Sequence, residues 1–277
     1  MTKRSSLSYI ACVLIAVLSF CAHANDYADA IITPQTNLSS PKTNGKYSVS
    51  CADILSHNPI IILAAGQSLV ANMSGDFRWN RVTYDAVYEQ WGGACYEASS
   101  PMYGASGTRQ SFVIYLADYL RRSTGRPILI NMAAINGVSI SRFLDAEPSR
   151  ILDAQLHNIE TLRVSPTLII WEQGQSDYST SATEYDASFG QMLSKLRRAA
   201  PNAPVFVPVD TMSSWKISAN MQKIQRGLTQ FEGVYTGPNI DQIKYRYDGT
   251  HLDQKGIEMQ AAMWFQFIAQ HFGWDKI

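Results

Sequence analysis

Four short runs of almost continuous apolar residues stand out along the chain, at positions 59–65, 127–133, 166–171 and 204–209. Polar residues do not alternate regularly with apolar ones inside these runs, as they do in a strand with one face in water. Continuous apolar runs of this length are typical of strands that helices cover on both faces. The pattern therefore predicts four buried strands of a mainly parallel sheet.

Between these runs, apolar residues recur at the three- and four-residue spacing of a helix stripe. The sets are Phe112, Leu116 and Leu120, then Leu152, Leu156 and Ile159, then Phe189, Leu193 and Leu196. A last helix is predicted over about residues 253–272, with Asp253 as its N-cap. This alternation of strands and helices predicts one α/β domain over residues 47–277, with helices on both faces of the sheet.

The composition supports a single globular domain without a strongly charged partner. Of 277 residues, 46% are hydrophobic, which is enough for a full-sized core. The 23 basic and 23 acidic residues give a formal net charge of zero. There is thus no electrostatic reason to expect nucleic acid or an anionic membrane surface as a partner, and a neutral small substrate fits better.

The first residues predict export. Lys3 and Arg4 precede an apolar run at 10–21, and Ala22-His23-Ala24 follows as a small-x-small cleavage site. We predict a signal peptide at residues 1–24 and an extended segment at 25–46. The apolar run is short for a bilayer span, so we expect no stable membrane anchor and a periplasmic or secreted protein.

Cys51 and Cys95 are the cysteines that remain after this predicted cleavage. An exported protein lies in a compartment where disulfides form and persist, so we predict that the two pair. In the chain-entropy model, closing this loop stabilises the fold by about 4 kcal/mol at most. The alternative is two unpaired buried thiols.

The loops that follow the predicted strands carry the candidate chemistry, because ligands bind outside the carboxyl ends of strands in such folds. These loops contain Gly66-Gln67-Ser68, Asn136-Gly137-Val138-Ser139, Gln173-Gly174-Gln175-Ser176-Asp177 and Asp210-Thr211, and the loop before the last helix contains Asp248-Gly249-Thr250-His251.

Ser68 is the candidate nucleophile. It follows Gly66, which allows a tight turn, and it lies near a predicted helix start, where backbone N–H groups lack internal partners. The alternative is that Ser68 is an ordinary N-cap. Val70 stands where the Gly-x-Ser-x-Gly elbow of α/β-hydrolases has its second glycine, so that fold is not expected.

His251 is the candidate general base, and Asp248 is the candidate carboxylate partner of its ring. A spacing of three residues lets a carboxylate in a turn reach one imidazole nitrogen while the other faces outward. A serine hydroxyl needs such a base to take its proton. The alternative is a surface turn at Asp248-Gly249 and a polar His251 ahead of a helix.

Gln173 and Gly137 could donate hydrogen bonds to the oxyanion of acyl transfer, although each could also serve only its own loop. His57, His157 and His271 occur singly, without nearby ligand-type partners. We therefore expect no metal. A reaction of a serine with a histidine base also requires no cofactor.

Taken in order, the loop segments resemble the SGNH hydrolase superfamily, and most of all its sialate O-acetylesterase and acetylxylan esterase branch. The matching segments are Gly66-Gln67-Ser68, Asn136-Gly137-Val138-Ser139-Ile140, Trp171-Glu172-Gln173-Gly174-Gln175-Ser176-Asp177 and Asp248-Gly249-Thr250-His251-Leu252, followed by Gly256. The likeness spans about residues 58–270. Two positions depart from the branch pattern, with Leu69 in place of Asn and Gln175 in place of Glu.

The resemblance implies a flavodoxin-like three-layer α/β/α sandwich, the SGNH hydrolase fold. It implies Ser68 as nucleophile, His251 as base and Asp248 as its partner. The Ser68 N–H, the Gly137 N–H and the Gln173 side chain would line the oxyanion hole. The function implied is an exported esterase that hydrolyses O-acetyl esters of a carbohydrate.

Two alternatives stay open from the residues alone. The same triad could transfer the acetyl group to another sugar hydroxyl, or the protein could bind carbohydrate without turnover. Trp79, Trp91, Tyr103 and Trp215 lie in predicted loops and could stack on a pyranose ring, while core packing is the alternative for each. The oligomeric state is open.

Overall fold

The alternation of elements is present in the computed structural model, which describes residues 46–76, 82–144 and 146–275. The predicted signal peptide, nearly all of the extended segment 25–46, and Trp79 lie outside the described residues. In the part of the chain that is described, no helix has the length and apolar character needed to cross a bilayer.

Eight strands of the described residues form one sheet. They are β1 (Ser48–Val49), β2 (Ile60–Gly66), β3 (Val87–Trp91), β4 (Ala94–Glu97), β5 (Ile128–Ala134), β6 (Leu168–Glu172), β7 (Val205–Val209) and β8 (Val234–Asn239). Their order across the sheet is β1-β4-β3-β5-β2-β6-β7-β8. The six strands from β3 to β8 in this order run parallel. At one edge, β4 pairs antiparallel with β3, and β1 pairs antiparallel with β4.

Seven helices accompany the sheet in the described residues. They are α1 (Cys51–Ser56), α2 (Phe112–Thr124), α3 (Ile140–Leu144), α4 (Ala146–Thr161), α5 (Ala182–Ala199), α6 (Ala219–Gly227) and α7 (Gln254–Phe272). The predicted N-cap is confirmed, because the Asp253 side chain accepts a hydrogen bond from the Gly256 amide at the start of α7.

The strand residues alternate between two apolar clusters, one on each face of the sheet. On β2, Ile60, Ile62 and Ala64 pack in the cluster that contains the inner sides of α2 and α7. Leu63 and Ala65 face the opposite cluster, which is formed with α3, α4, α5 and α6. A strand buried on both faces needs apolar residues at successive positions, which explains the continuous runs in the sequence.

Four strands were not predicted, because their sequences lack a continuous apolar run. Strand β3 contains the buried polar residues Glu89 and Gln90. Glu89 is accommodated there because its carboxylate accepts the Lys46 ammonium group and the Tyr103 amide. Strand β8 contains Gly237 and Pro238, which weaken a strand pattern and are tolerated at the sheet edge.

Cys51 and Cys95 form a disulfide, as predicted, with Cα atoms 5.3 Å apart. Cys51 begins helix α1 and Cys95 lies in β4. The bond therefore joins the first helix to the antiparallel edge of the sheet, across a sequence separation of 44 residues.

We expect replacement of both cysteines by alanine to lower the free energy of unfolding by about 2–4 kcal/mol, because the unfolded chain regains the entropy of an open loop. Urea unfolding of the double variant, beside the parent protein with and without a reductant, measures the change. The double variant should match the reduced parent. An unchanged urea midpoint in both would contradict a stabilising disulfide.

Candidate active site

Gly66 ends strand β2 and lets the chain turn beside strand β6. Its φ is 147°, which L side chains rarely adopt, and a Cβ atom built on it would collide with the carbonyl oxygen of Glu172. The amide of Gln67 donates to that same carbonyl at 3.0 Å. Glycine alone fits this close approach. The turn therefore delivers residue 68 to the carboxyl edge of the sheet, next to the end of β6.

Ser68 lies in this turn with 2% of its surface exposed. The predicted helix start is replaced by a single hydrogen-bonded turn, in which the amides of Val70 and Ala71 donate to the Gln67 carbonyl at 3.1 Å. The side chain of Leu69 is fully buried in the apolar cluster of α2 and α7. The leucine that departs from the SGNH pattern is thus a core residue.

Asp248 and His251 form a hydrogen-bonded pair in the loop before α7. Oδ2 of Asp248 lies 2.7 Å from Nδ1 of His251. Oδ1 accepts the amides of Thr250 at 2.9 Å and His251 at 2.7 Å. Burial acts to raise the pKa of Asp248, but these hydrogen bonds outweigh it and hold the pKa below its ordinary value. The carboxylate therefore stays ionised and fixes the orientation of the ring.

The other ring nitrogen, Nε2 of His251, is buried and has no hydrogen-bond partner among the described residues. It is therefore not hydrogen-bonded to Ser68 in this structure. An imidazole held by a carboxylate at one nitrogen and unengaged at the other is what a general base requires. Catalytic hydrogen bonds commonly tighten only in the substrate complex.

The histidine loop is attached to the segment that follows the serine turn. The hydroxyl of Tyr247 donates to the Met73 carbonyl at 2.7 Å, and the amide of Gly75 donates to the Leu252 carbonyl at 2.9 Å. The Tyr247 ring also stacks on the His251 ring, with centroids 5.8 Å apart and planes 22° from parallel. These contacts hold the imidazole in place relative to the chain around Ser68.

Gly137 is exposed in the loop after β5. This loop adjoins the serine turn, since the amide of Ile135 donates to the Gly66 carbonyl at 3.0 Å. A Cβ atom added at Gly137 would meet nothing within 4 Å, so this position faces open space.

The side chain of Gln67, which is 2% exposed, joins the serine turn to the loop after β6. Its Oε1 accepts from Nε2 of Gln173 at 3.2 Å and from the amides of Gly174 and Ser176 at 3.1 and 3.3 Å. Its Nε2 donates to Oε1 of Gln175 at 2.7 Å. In the sequence, Gln67 belongs to a motif beside Ser68, and the sequence carries no signal for this connecting role.

Gln173 is fully buried, and its amide group is engaged by the protein at both ends. Besides Gln67, its Nε2 donates to the Val138 carbonyl at 3.1 Å and to the Asp177 carboxylate. Its Oε1 accepts the hydroxyl of Tyr185 at 2.7 Å. The amide nitrogen carries two hydrogens, so donation to an oxyanion requires exchange of one of these bonds.

Gln175 extends this chain of amides to the loop after β7. It accepts from Gln67, and its Nε2 donates to Oδ1 of Asp210 at 3.0 Å and to the Met212 carbonyl at 3.1 Å. A glutamate at this position could accept but, when ionised, could not donate. The glutamine that departs from the SGNH pattern is thus matched to the carboxyl group of Asp210.

Two carboxyl groups are fully buried behind the site. Glu172 accepts Nε2 of Gln260 at 2.7 Å and Nε1 of Trp264 at 3.1 Å, both from α7. Burial raises the pKa of Glu172 well above its ordinary value, and the neighbouring Asp210 raises it further. Burial also raises the pKa of Asp210 to about 7, with Arg246 acting in the opposite direction.

Of the aromatic residues that the sequence offered for sugar stacking, two belong to the core. Trp91 ends strand β3, not a loop, and is fully buried, while Tyr103 is 1% exposed. Trp215 is 58% exposed and lies at the rim of the site.

Two of the histidines outside the candidate triad, His57 and His271, make contacts within their own part of the fold. Nδ1 of His57 lies 2.8 Å from the Asp53 carbonyl, and the His271 ring packs on Phe206 and Tyr235. Over residues 46–76, 82–144 and 146–275, no group of three or more His, Cys, Asp or Glu side chains could hold a metal ion.

Solved structures with the same fold give this arrangement a context. A protein of Arabidopsis thaliana is 16% identical over 77% of this chain and 99% of its own, with a TM-score of 0.62. A carbohydrate acetylesterase from Xanthomonas citri is 15% identical over 77% of this chain and 57% of its own, with a TM-score of 0.55. A Parabacteroides merdae protein described as a GDSL-like lipase is 14% identical over 79% of this chain and 99% of its own, with a TM-score of 0.54.

At these identities the likeness concerns the fold. It confirms the predicted three-layer α/β/α sandwich with a mainly parallel sheet. The sequence matches no protein-family model and no curated protein.

Replacement of Gln175 by glutamate should lower the free energy of unfolding at neutral pH by about 1–3 kcal/mol, because Asp210 loses its donor and gains a facing carboxylate. Urea unfolding measures the change. Addition of Asp210→Asn supplies a donor opposite the new carboxylate and should recover part of the loss. Equal stability of Gln175→Glu and the parent protein would contradict the proposed matching of these two residues.

The raised pKa of Asp210 predicts a pH-dependent stability. The folded protein binds this proton more tightly than the unfolded chain, so the free energy of unfolding falls as pH rises from about 4 to about 7. Asp210→Asn, which resembles the protonated acid, should reduce that fall. Urea midpoints across this pH range, with the exposed Asp153→Asn as a control, measure it. The same fall in the parent and in Asp210→Asn would refute the prediction.

Proposed function

We propose that this protein is a serine esterase that removes acetyl groups from a carbohydrate. Ser68 is the nucleophile, His251 the general base and Asp248 the carboxylate that orients it. The observation that carries the proposal is the His251 ring, whose Nδ1 is held by Asp248 while its Nε2 is buried and unengaged among the described residues. The loop that carries it is bonded to the chain that follows Ser68.

In the proposed reaction, Nε2 of His251 takes the proton of Ser68 Oγ as the oxygen attacks the acetyl carbonyl carbon. The sugar hydroxyl then leaves with that proton, and an acetyl-serine remains. Water, deprotonated by the same nitrogen, attacks this ester and releases acetate and the free serine. The ionised Asp248 stabilises the imidazolium formed in each half of the reaction.

The backbone N–H groups of Ser68 and Gly137 and the Gln173 side chain are the proposed oxyanion donors. The open space at Gly137, and the bond from the nearby Ile135 amide to the Gly66 carbonyl, support a place for the substrate carbonyl at this rim. For Gln173, an incoming oxyanion would have to replace one of the three acceptors that now surround Nε2.

Carbohydrate as the substrate class has two supports. The motif segments resemble the acetylesterase branch, and a carbohydrate acetylesterase shares the fold.

Export of the protein is also part of the proposal. The disulfide agrees with an oxidising compartment. Mass spectrometry of the protein recovered from outside the cytoplasm should find its first residue at Asn25.

Ser68→Ala and His251→Ala should each reduce hydrolysis of p-nitrophenyl acetate by roughly 10⁴-fold or more, and Asp248→Asn should cost less, because the ring remains present. Ser139→Ala, a serine on the same rim, is the matched control. A serine-directed phosphonate should label the Ser68 peptide in the parent protein. Full activity in Ser68→Ala would refute the assignment.

Acetate release from a panel of acetylated glycans tests the substrate class. The panel comprises acetylated xylo-oligosaccharides, O-acetylated sialic acid and acetylated cell-envelope glycans, with a free sugar acceptor present in a parallel series. We expect acetate as the product. Acetylated acceptor without acetate would identify a transferase, and glycan binding without turnover would identify a binding protein; either result contradicts the proposal.

A further inference from the structure

A tight turn beside the histidine loop holds one tryptophan in an unusual backbone conformation. Residues 213–216 form a hairpin with a two-residue turn. The Ser213 amide donates to the Lys216 carbonyl, and the Lys216 amide donates to the Ser213 carbonyl, both at 2.9 Å. The two central residues, Ser214 and Trp215, have φ values of 50° and 63°. Positive φ at both central positions is the signature of a type I′ turn.

The amino acids in this turn are not those that its backbone favours. Type I′ turns select glycine, asparagine and aspartate, because other L residues meet a steric penalty at positive φ. A bulky aromatic residue there is a clear exception. Backbone strain of this kind persists where surrounding structure enforces it and is concentrated at ligand sites. The indole is therefore placed in this turn for a reason other than the turn itself.

The turn is fastened to the catalytic loop of the proposed function. The amide of Trp215 donates to the Gly249 carbonyl at 2.9 Å, and the amide of Ser214 donates to Oγ1 of Thr250 at 2.9 Å. The indole itself lies against Gly249, where an added Cβ atom would be 2.5 Å from Cδ1 of Trp215. Gly249 stands between Asp248 and His251, so the ring is fixed at the edge of the predicted triad.

The indole is nevertheless open to solvent. Trp215 is 58% exposed, whereas Trp91, Trp171 and Trp264 are fully buried. Removal of an aromatic ring from water is favourable, so a rigid ring left exposed beside a reaction site is available to a ligand. The flat face of an indole suits the C–H face of a pyranose ring, and Ser213 and Lys216 beside it are exposed polar side chains.

We propose that Trp215 is a sugar-binding platform, which stacks on a pyranose ring of the substrate and determines the preference for glycan esters over small esters. This inference rests on the proposed function, because it places the stacked ring beside the ester that Ser68 attacks. Gly249 is required for it, since a side chain there would displace the indole. The substrate class that follows is an acetylated pyranoside, bound through a sugar ring as well as through its acetyl group.

Trp215→Gly is the main test, because glycine keeps the positive φ and the backbone bond to Gly249. With the glycan of the panel that is hydrolysed fastest, kcat/KM should fall roughly three- to tenfold further than kcat/KM for p-nitrophenyl acetate, and mainly through KM. Trp215→Tyr should retain most of the glycan activity. Tyr47→Ala, which removes an exposed aromatic ring remote from the site, is the matched control.

Equal losses on the glycan and on p-nitrophenyl acetate would overturn the proposal, because they would show that Trp215 only supports the catalytic loop. No loss on the glycan would also overturn it.

Calorimetric titration of the Ser68→Ala protein with the deacetylated oligosaccharides separates the two proposals. Weaker binding after Trp215→Gly supports the platform even if the parent protein releases no acetate, in which case the esterase proposal alone fails. Acetate release by the parent protein, with glycan binding absent or unaffected by Trp215→Gly, overturns the platform alone.

Discussion

The buried side-chain amide of Gln67 is the contact on which the site depends. It stands between the glycine that ends β2 and the serine that follows, and it is bonded to the loop after β6 through both its oxygen and its nitrogen. An amide left unpaired in the interior costs about 1–3 kcal/mol, so neither loop can shift without breaking a costly bond. Through Gln175 the constraint reaches Asp210 after β7. Three strand ends are thus held in one arrangement around Ser68.

Both departures from the SGNH acetylesterase pattern have a physical account within this arrangement. Leu69 fills the apolar cluster under α2 and α7, where an asparagine would need buried hydrogen-bond partners. Gln175 donates to a carboxyl group that a glutamate would repel. Neither change alters the Asp248–His251 pair, which is built within its own loop. The departures therefore concern the support of the site, and the proposed chemistry is independent of them.

Several groups at this edge of the sheet are unfavourable for stability. Glu172 and Asp210 are buried carboxyl groups, and Ser214 and Trp215 occupy positive φ. The two apolar clusters that cover the sheet offset these costs, as hydrophobic burial does in most folded proteins. Unfavourable groups at the carboxyl ends of the strands are expected where a site is selected for function.

The sequence by itself determined the features that arise from neighbours in the chain. The continuous apolar runs predicted β2, β5, β6 and β7, the capping aspartate predicted the start of α7, and a three-residue spacing predicted the Asp248–His251 pair. Apolar periodicity indicates which side chains of a segment are buried, and a short spacing indicates which side chains can contact each other within one turn. These predictions therefore needed no knowledge of the fold.

Only the tertiary structure decided the strand order, the antiparallel edge with β1 and β4, and the amide chain behind Ser68. It also decided which aromatic ring is exposed, since Trp91 and Trp215 both lay in predicted loops. Gln67 and Gln175 are 108 residues apart, and Gln175 and Asp210 are 35 apart. Partners at such distances meet because parallel strands bring their carboxyl ends to one edge. The residues next to each partner in the sequence do not indicate these long-range contacts.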